Sequence, residues 1–155
     1  HFLLSALVTG LLATRAAARR MADLRGESVG DTVGYQTRDE RRIGPATRIE
    51  VVTEGILTRR LQNDPELPGV GLVVFDEVHE RNLPTDLGLA LALDAAATLR
   101  PDLRIVAMSA TPDTAALLRV LGDVPVIESL GYDRTTARAV ERASRRCFTA
   151  SMYAP

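Results

Sequence analysis

A nearly unbroken apolar run, Val70 to Phe75, ends abruptly in two carboxylates, Asp76 and Glu77, and this junction constrains the fold more than any other feature of the sequence. A strand that alternates apolar and polar residues can lie on a surface, but one that is apolar throughout needs cover on both faces, as in a parallel sheet layered between helices. Leu103 to Met108 repeats the pattern, and the Leu- and Ala-rich stretch Asp86 to Leu99 between the two runs favours helix. The result is a β-α-β unit with a right-handed crossover. The expected class is therefore α/β, a mostly parallel sheet flanked by helices, in which ligands sit at the carboxyl ends of the strands. Two positions satisfy that rule: Asp76-Glu77-Val78-His79 after the first run, and Ser109-Ala110-Thr111 after the second.

The flanking sequence alternates in the same way. Leu11 to Leu24 has helical composition with Gly26 as its stop, while Thr32 to Thr37 and Thr47 to Val52 have strand composition around a Gly44-Pro45 turn. Thr53 is placed to N-cap a helix through Leu61, which Asp64-Pro65 and Pro68-Gly69 terminate. Asp113 to Leu121 is a helical pattern closed by Gly122, and Pro125 to Ile127 a short strand. From about Leu130 to Pro155 the arginines fall near helical spacing without an apolar stripe, so a weakly ordered basic tail is expected.

Of the 155 residues, 46% are hydrophobic and 25% charged, enough apolar material for one globular core. The formal net charge of -1 exerts no long-range pull on phosphates, so any nucleic-acid surface must be a local cluster of arginines. All 19 strongly basic residues are arginine, and lysine is absent. Cys147 has no disulfide partner within the chain, which suits a reducing compartment. The apolar stretch Phe2 to Ala13 is too short to span a bilayer, and Arg15, Arg19 and Arg20 follow it rather than precede it as a secretory signal requires. A partly buried helix or strand, no membrane partner and a cytoplasmic location are the expectations.

Carboxylates at the end of a buried strand are costly unless paired, and magnesium is a natural partner. Nucleotide hydrolysis uses such a pair: one carboxylate holds the metal, commonly through water, and the other orients the attacking water. In that role Asp76 is the metal residue and Glu77 the water activator. The pair alone is equally compatible with the start of a solvated loop. A zinc-protease motif beginning at His79-Glu80 is excluded, because Leu83 stands where the second histidine would be. Ser109 and Thr111 supply hydroxyls at the neighbouring strand end, with His79 as their expected hydrogen-bond partner.

Taken together, Asp76-Glu77-Val78-His79 and Ser109-Ala110-Thr111 resemble motifs II and III of superfamily 2 helicases, and the histidine resembles the DEAH branch. Val33-Gly34-Tyr35 with Arg38 and Glu40, and Thr53-Glu54-Gly55-Ile56-Leu57-Thr58-Arg59, are similar to segments preceding the DEAH motif, the second being motif Ib. Leu12 to Glu128 as a whole resembles the bacterial HrpB-type DEAH helicases, notably in Ile49 to Gly55 and Asp64 to Leu67. The resemblance implies an incomplete RecA-like domain over residues 12-128, between a poorly matching segment 1-11 and a poorly matching basic tail 129-155. It implies ATP and Mg2+ as cofactors and single-stranded RNA or DNA as partner. It further implies nucleic-acid contacts at Arg15, Thr53, Gly55 and Arg59, and coupling of hydrolysis to strand movement by His79, Ser109 and Thr111.

The pattern departs from the family in two places. Gripping a triphosphate takes a glycine-rich loop followed by lysine, and no lysine is present. Where the family has a Pro-Arg-Arg triplet in motif Ia, this chain has Thr9, Gly10 and Leu11, leaving Arg15 as a backbone contact. The expected function is thus that of an ATP-dependent helicase fragment inactive by itself. A non-catalytic single-strand-binding module and a nonfunctional remnant are the alternatives.

Overall fold

The computed structural model describes residues 4–109, 115–122, 124–129 and 148–152. In chain order the elements are β1 (Leu4–Thr9), α1 (Leu11–Arg25), β2 (Val33–Gln36), β3 (Arg41–Arg42), β4 (Ile49–Thr53), α2 (Glu54–Asn63) and β5 (Val70–Phe75). A single 3-10 turn (Val78–Glu80), α3 (Leu83–Thr98), β6 (Arg104–Ser109), α4 (Ala115–Leu121), β7 (Val126–Ser129) and β8 (Phe148–Met152) complete it. The strands form one sheet in the order β3-β2-β4-β1-β5-β6-β8-β7. Every pairing is parallel except the short β2-β3 hairpin.

Side-chain alternation explains why both faces are covered. Ala6, Val8, Val52, Val73, Phe75, Ile105 and Ala107 pack with Leu57 and Leu61 of α2 and Leu89, Ala92 and Ala95 of α3. The intervening Leu7, Ile49 and Val51 face the other way and, with Val33 and Tyr35, pack on Ala18 and Ala22 of α1. Phe75 is fully buried, a contribution of roughly 1.5–3 kcal/mol for a side chain of its kind. The apolar opening of the chain is β1, a strand inside the sheet with β4 on one side and β5 on the other.

The largest boundary difference is at α3, which begins at Leu83 rather than Asp86. Asn82 caps it by accepting a hydrogen bond from Thr85 N at 2.8 Å, and Pro84 stands in the first turn, where its missing N–H costs nothing. Thr47 stays outside β4 because its hydroxyl is taken by the Asp31 carbonyl at 2.9 Å and the Gly44 N–H at 3.0 Å. Gly26 ends α1 in the left-handed region at φ 68°, as expected of a helix stop. β3 was not anticipated. It crosses so close to β2 that a Cβ on Gly34 would stand 2.5 Å from the Arg42 carbonyl oxygen, so only glycine fits there. In the region expected to be a weakly ordered tail, Phe148–Met152 forms β8 between β6 and β7, while the arginines at 134–146 lie outside the described residues.

Candidate functional site

Parallel pairing puts the carboxyl ends of β4, β1, β5 and β6 side by side. Thr9 is level with Thr53, Val8 with Phe75, and Phe75 with Ala107, so one edge of the sheet collects Thr53, Asp76, Glu77 and Ser109. Asp76 extends the ladder by one bond, donating its N–H to the Val8 carbonyl at 3.0 Å. The chain then turns sharply. Glu77 and Arg81, at φ 54° and 50°, bracket the 3-10 turn in a backbone region that costs a non-glycine residue on the order of 1 kcal/mol or more. Both ends of the turn are tethered: the Asp76 carboxylate accepts from Glu77 N at 3.0 Å, and Arg81 pairs with Asp86 in the first turn of α3 at 3.1 Å.

Within this turn the two carboxylates differ in surroundings. Asp76 is half-buried and Glu77 exposed. Burial first, and then the charge of Glu77, push the Asp76 carboxyl above its ordinary value, opposed by the Glu77 N–H and by His79. Either a proton or a cation at Asp76 would relieve both effects. Among the described residues no group of three or more His, Cys, Asp or Glu side chains could hold a metal. One or two carboxylates with phosphates and water are nevertheless the usual complement of magnesium, so the oxygen donors present fit that ion.

His79 places Nδ1 3.2 Å from Glu77 Oε2, linking the second and fourth residues of the motif. Ser109 is buried at the end of β6, and the turn carrying His79 packs against that strand. Thr111, the second hydroxyl expected here, lies outside the described residues.

The nucleic-acid candidates fall along the same edge. Thr53 occupies the N-cap position of α2, as its sequence suggests, but its hydroxyl makes no cap hydrogen bond. Gly10 likewise begins α1 without a side-chain cap. Two helix starts without a side-chain cap therefore open on the edge, an arrangement suited to phosphate oxygens. Gly55 is exposed and nothing comes within 4 Å of where its Cβ would be, leaving the α2 backbone open to close approach. Arg59 is exposed one turn further along α2. Arg15, on the second turn of α1, pairs with Glu40 at 2.9 Å while remaining 53% exposed.

Two features escaped the sequence argument. Glu50 is almost fully buried in β4, where Arg60 of α2 binds both of its oxygens, at 2.5 and 2.9 Å, and reaches Gln36 of β2 at 2.6 Å. A lone acid in the β-branched stretch Ile49 to Thr53 was the available sign that a base must come to meet it. The second is the Asn82 cap, signalled by asparagine two residues before Pro84.

No protein-family model matches the chain. It is 55% identical over 120 residues to the ATP-dependent RNA helicase HrpB of Escherichia coli K12, a match covering 77% of this chain and 15% of that protein. It is 38% identical over 117 residues to the DExH-box ATP-dependent RNA helicase DExH1 of Arabidopsis thaliana, covering 76% of this chain and 12% of the relative. The crystal structure of Escherichia coli DEAH/RHA helicase HrpB superposes with a TM-score of 0.74 at 46% identity, over 85% of this chain and 18% of the other. A second, of the E. coli DExH-box NTPase HrpB, gives 0.70 at 43% identity over 96% of this chain and 16% of that one. The chain thus spans less than a fifth of the proteins it matches, and its sheet corresponds to part of a RecA-like domain. In sequence and in fold it matches a segment of the DEAH-box helicases of HrpB type.

Proposed function

We propose that this chain is the part of an ATP-dependent RNA helicase, centred on residues 12–128, that carries the metal- and water-handling half of the ATP site beside a stretch of single-strand track. The carrying observation is the shared sheet edge, where Asp76 and Glu77 leave β5 between Thr53 of β4 and Ser109 of β6. Asp76 would hold Mg2+ through water, its half-buried carboxylate being short of a cation. Bound there, the ion would neutralise phosphate charge. Glu77, exposed and oriented by His79, would accept a proton from the attacking water. His79, Ser109 and Thr111 would link that event to the strand, which Arg15, Thr53, Gly55 and Arg59 would hold by its phosphates.

A triphosphate also needs a cationic grip, and the 155-residue sequence contains no lysine. The 155-residue chain incubated with ATP, Mg2+ and single-stranded RNA is therefore expected to release no more phosphate than its Glu77→Gln variant. Turnover above that control would show that the chain completes an ATP site by other means. Binding of a single strand without hydrolysis is the second reading, favoured by the two uncapped helix starts.

A further inference from the structure

Helix α2 is held to the sheet by little apolar surface. Of its ten residues only Leu57 and Leu61 are buried, one turn apart along a single line, which leaves the helix an axis about which it can roll. Each flank carries one contact that opposes a roll. On the α3 side Thr58 lies against Gly88, where an added Cβ would stand 3.3 Å from its hydroxyl. On the β2 side Arg60 reaches down to the sheet: its Nη1 donates to Glu50 Oε2 at 2.9 Å, and its Nη2 to Glu50 Oε1 at 2.5 Å and to Gln36 Oε1 at 2.6 Å. Gln36 is level with Val52 in the β2-β4 register, so it shares a sheet face with Glu50, two residues back along β4.

This polar cluster is a poor device for stability. A buried ion pair gives back in attraction about what its desolvation costs, and well-packed apolar residues of similar volume serve a fold as well or better. What the cluster does supply is direction. A guanidinium is a planar, rigid fork, and three acceptor oxygens on two adjacent strands admit it in one orientation, with Glu50 only 3% exposed. The roll it fixes matters on the opposite side of α2. Gly55 and Arg59, four residues apart, share that outer face, and both are exposed. Arg59 directly precedes Arg60, so the network also decides which of two neighbouring guanidiniums turns inward.

We propose that Glu50 and Gln36, by gripping Arg60, act as an orientation key for α2 that presents Gly55 and Arg59 to a single-stranded nucleic acid, Arg60 being a positioning residue that makes no contact with the strand. The key rests on the nucleic-acid reading above.

The test removes the ion pair without changing the net charge. Glu50→Leu with Arg60→Met exchanges it for apolar side chains, and circular-dichroism melts should find this double variant as stable as the wild type or more so. Binding of a labelled oligouridylate is followed by fluorescence anisotropy across a salt series, with and without Arg59→Ala in each background. In the wild-type background Arg59→Ala should weaken binding roughly three- to tenfold and make the log–log salt slope shallower by about 0.7, the value for one phosphate contact on a single strand. The double variant alone should show the same loss, and adding Arg59→Ala to it should cost nothing more. Arg60→Lys, which keeps the charge but not the fork, should also weaken binding, and it keeps the key testable if the double variant melts early. An Arg59→Ala loss of equal size in both backgrounds would mean that α2 keeps its orientation without the pair, any loss in the double variant then being a strand contact of Arg60 itself. That result overturns the key and leaves the nucleic-acid reading standing. A wild-type chain that binds no oligouridylate even at low salt removes that reading, and the key with it.

Discussion

Asp76 emerges from a buried strand with a like charge next to it, and both burial and that neighbour work against its ionised form. A carboxyl raised in the folded state makes the protein most stable when that group is protonated, and the stability is lost as pH rises through the folded-state value. At neutral pH the charged Asp76 is therefore a liability of the kind tolerated at functional sites. Asp76→Asn should stabilise the chain at neutral pH by on the order of 1 kcal/mol, the solvent that still reaches the carboxylate limiting the gain. The difference should vanish as pH falls to the ordinary value of 3.8. Urea unfolding of both proteins across that pH range measures it, and a gain that persists in acid would assign it to something other than charge. Glu50 presents the opposite case, a buried carboxylate fully claimed by Arg60. Glu50→Ala leaves that guanidinium with Gln36 and partial access to solvent, and the same unfolding experiment should show a loss of about 1–3 kcal/mol. A loss under 1 kcal/mol would mean that Arg60 finds water instead.

Among the elements, the β2-β3 hairpin depends on a single small residue. Gly34→Ala would drive a methyl group against the Arg42 backbone carbonyl, which, unlike a side chain, cannot rotate away. Overpacking of this kind costs about 1–3 kcal/mol, visible as a lower melting temperature. A melting temperature equal to that of the wild type would show that β3 can lift off at no cost. The same hairpin marks where sequence argument ends. β5 was legible to the residue, because six consecutive apolar positions leave a strand no exposed face, and β6 was displaced by one position only. β3 was invisible, since Arg41 and Arg42 carry no strand preference and pair only because Gly34 opens a place for them. At the site, the acidic pair could be placed at a strand end from its position after Val70 to Phe75. The shared edge with Thr53 required the parallel register through β1, a strand whose composition suited helix equally well. The links from Glu40 to Arg15 and from Glu50 to Arg60 are tertiary, and no local spacing announces them.

At the scale of the molecule, one edge of an α/β sheet gathers a carboxylate pair, a buried serine and two uncapped helix starts. Among the described residues no helix is long and apolar enough to cross a membrane. If that edge is the metal half of an ATP site, it attracts a divalent cation at Asp76. Manganese mimics magnesium at oxygen ligands and broadens the nuclear magnetic resonance signals of nearby nuclei even when binding is weak. In a 15N-labelled sample titrated with Mn2+, the amide signals of Asp76, Glu77 and Val78 should broaden before any others, and Asp76→Asn should abolish the effect. Broadening that begins at other acidic residues, or that survives Asp76→Asn unchanged, would contradict it.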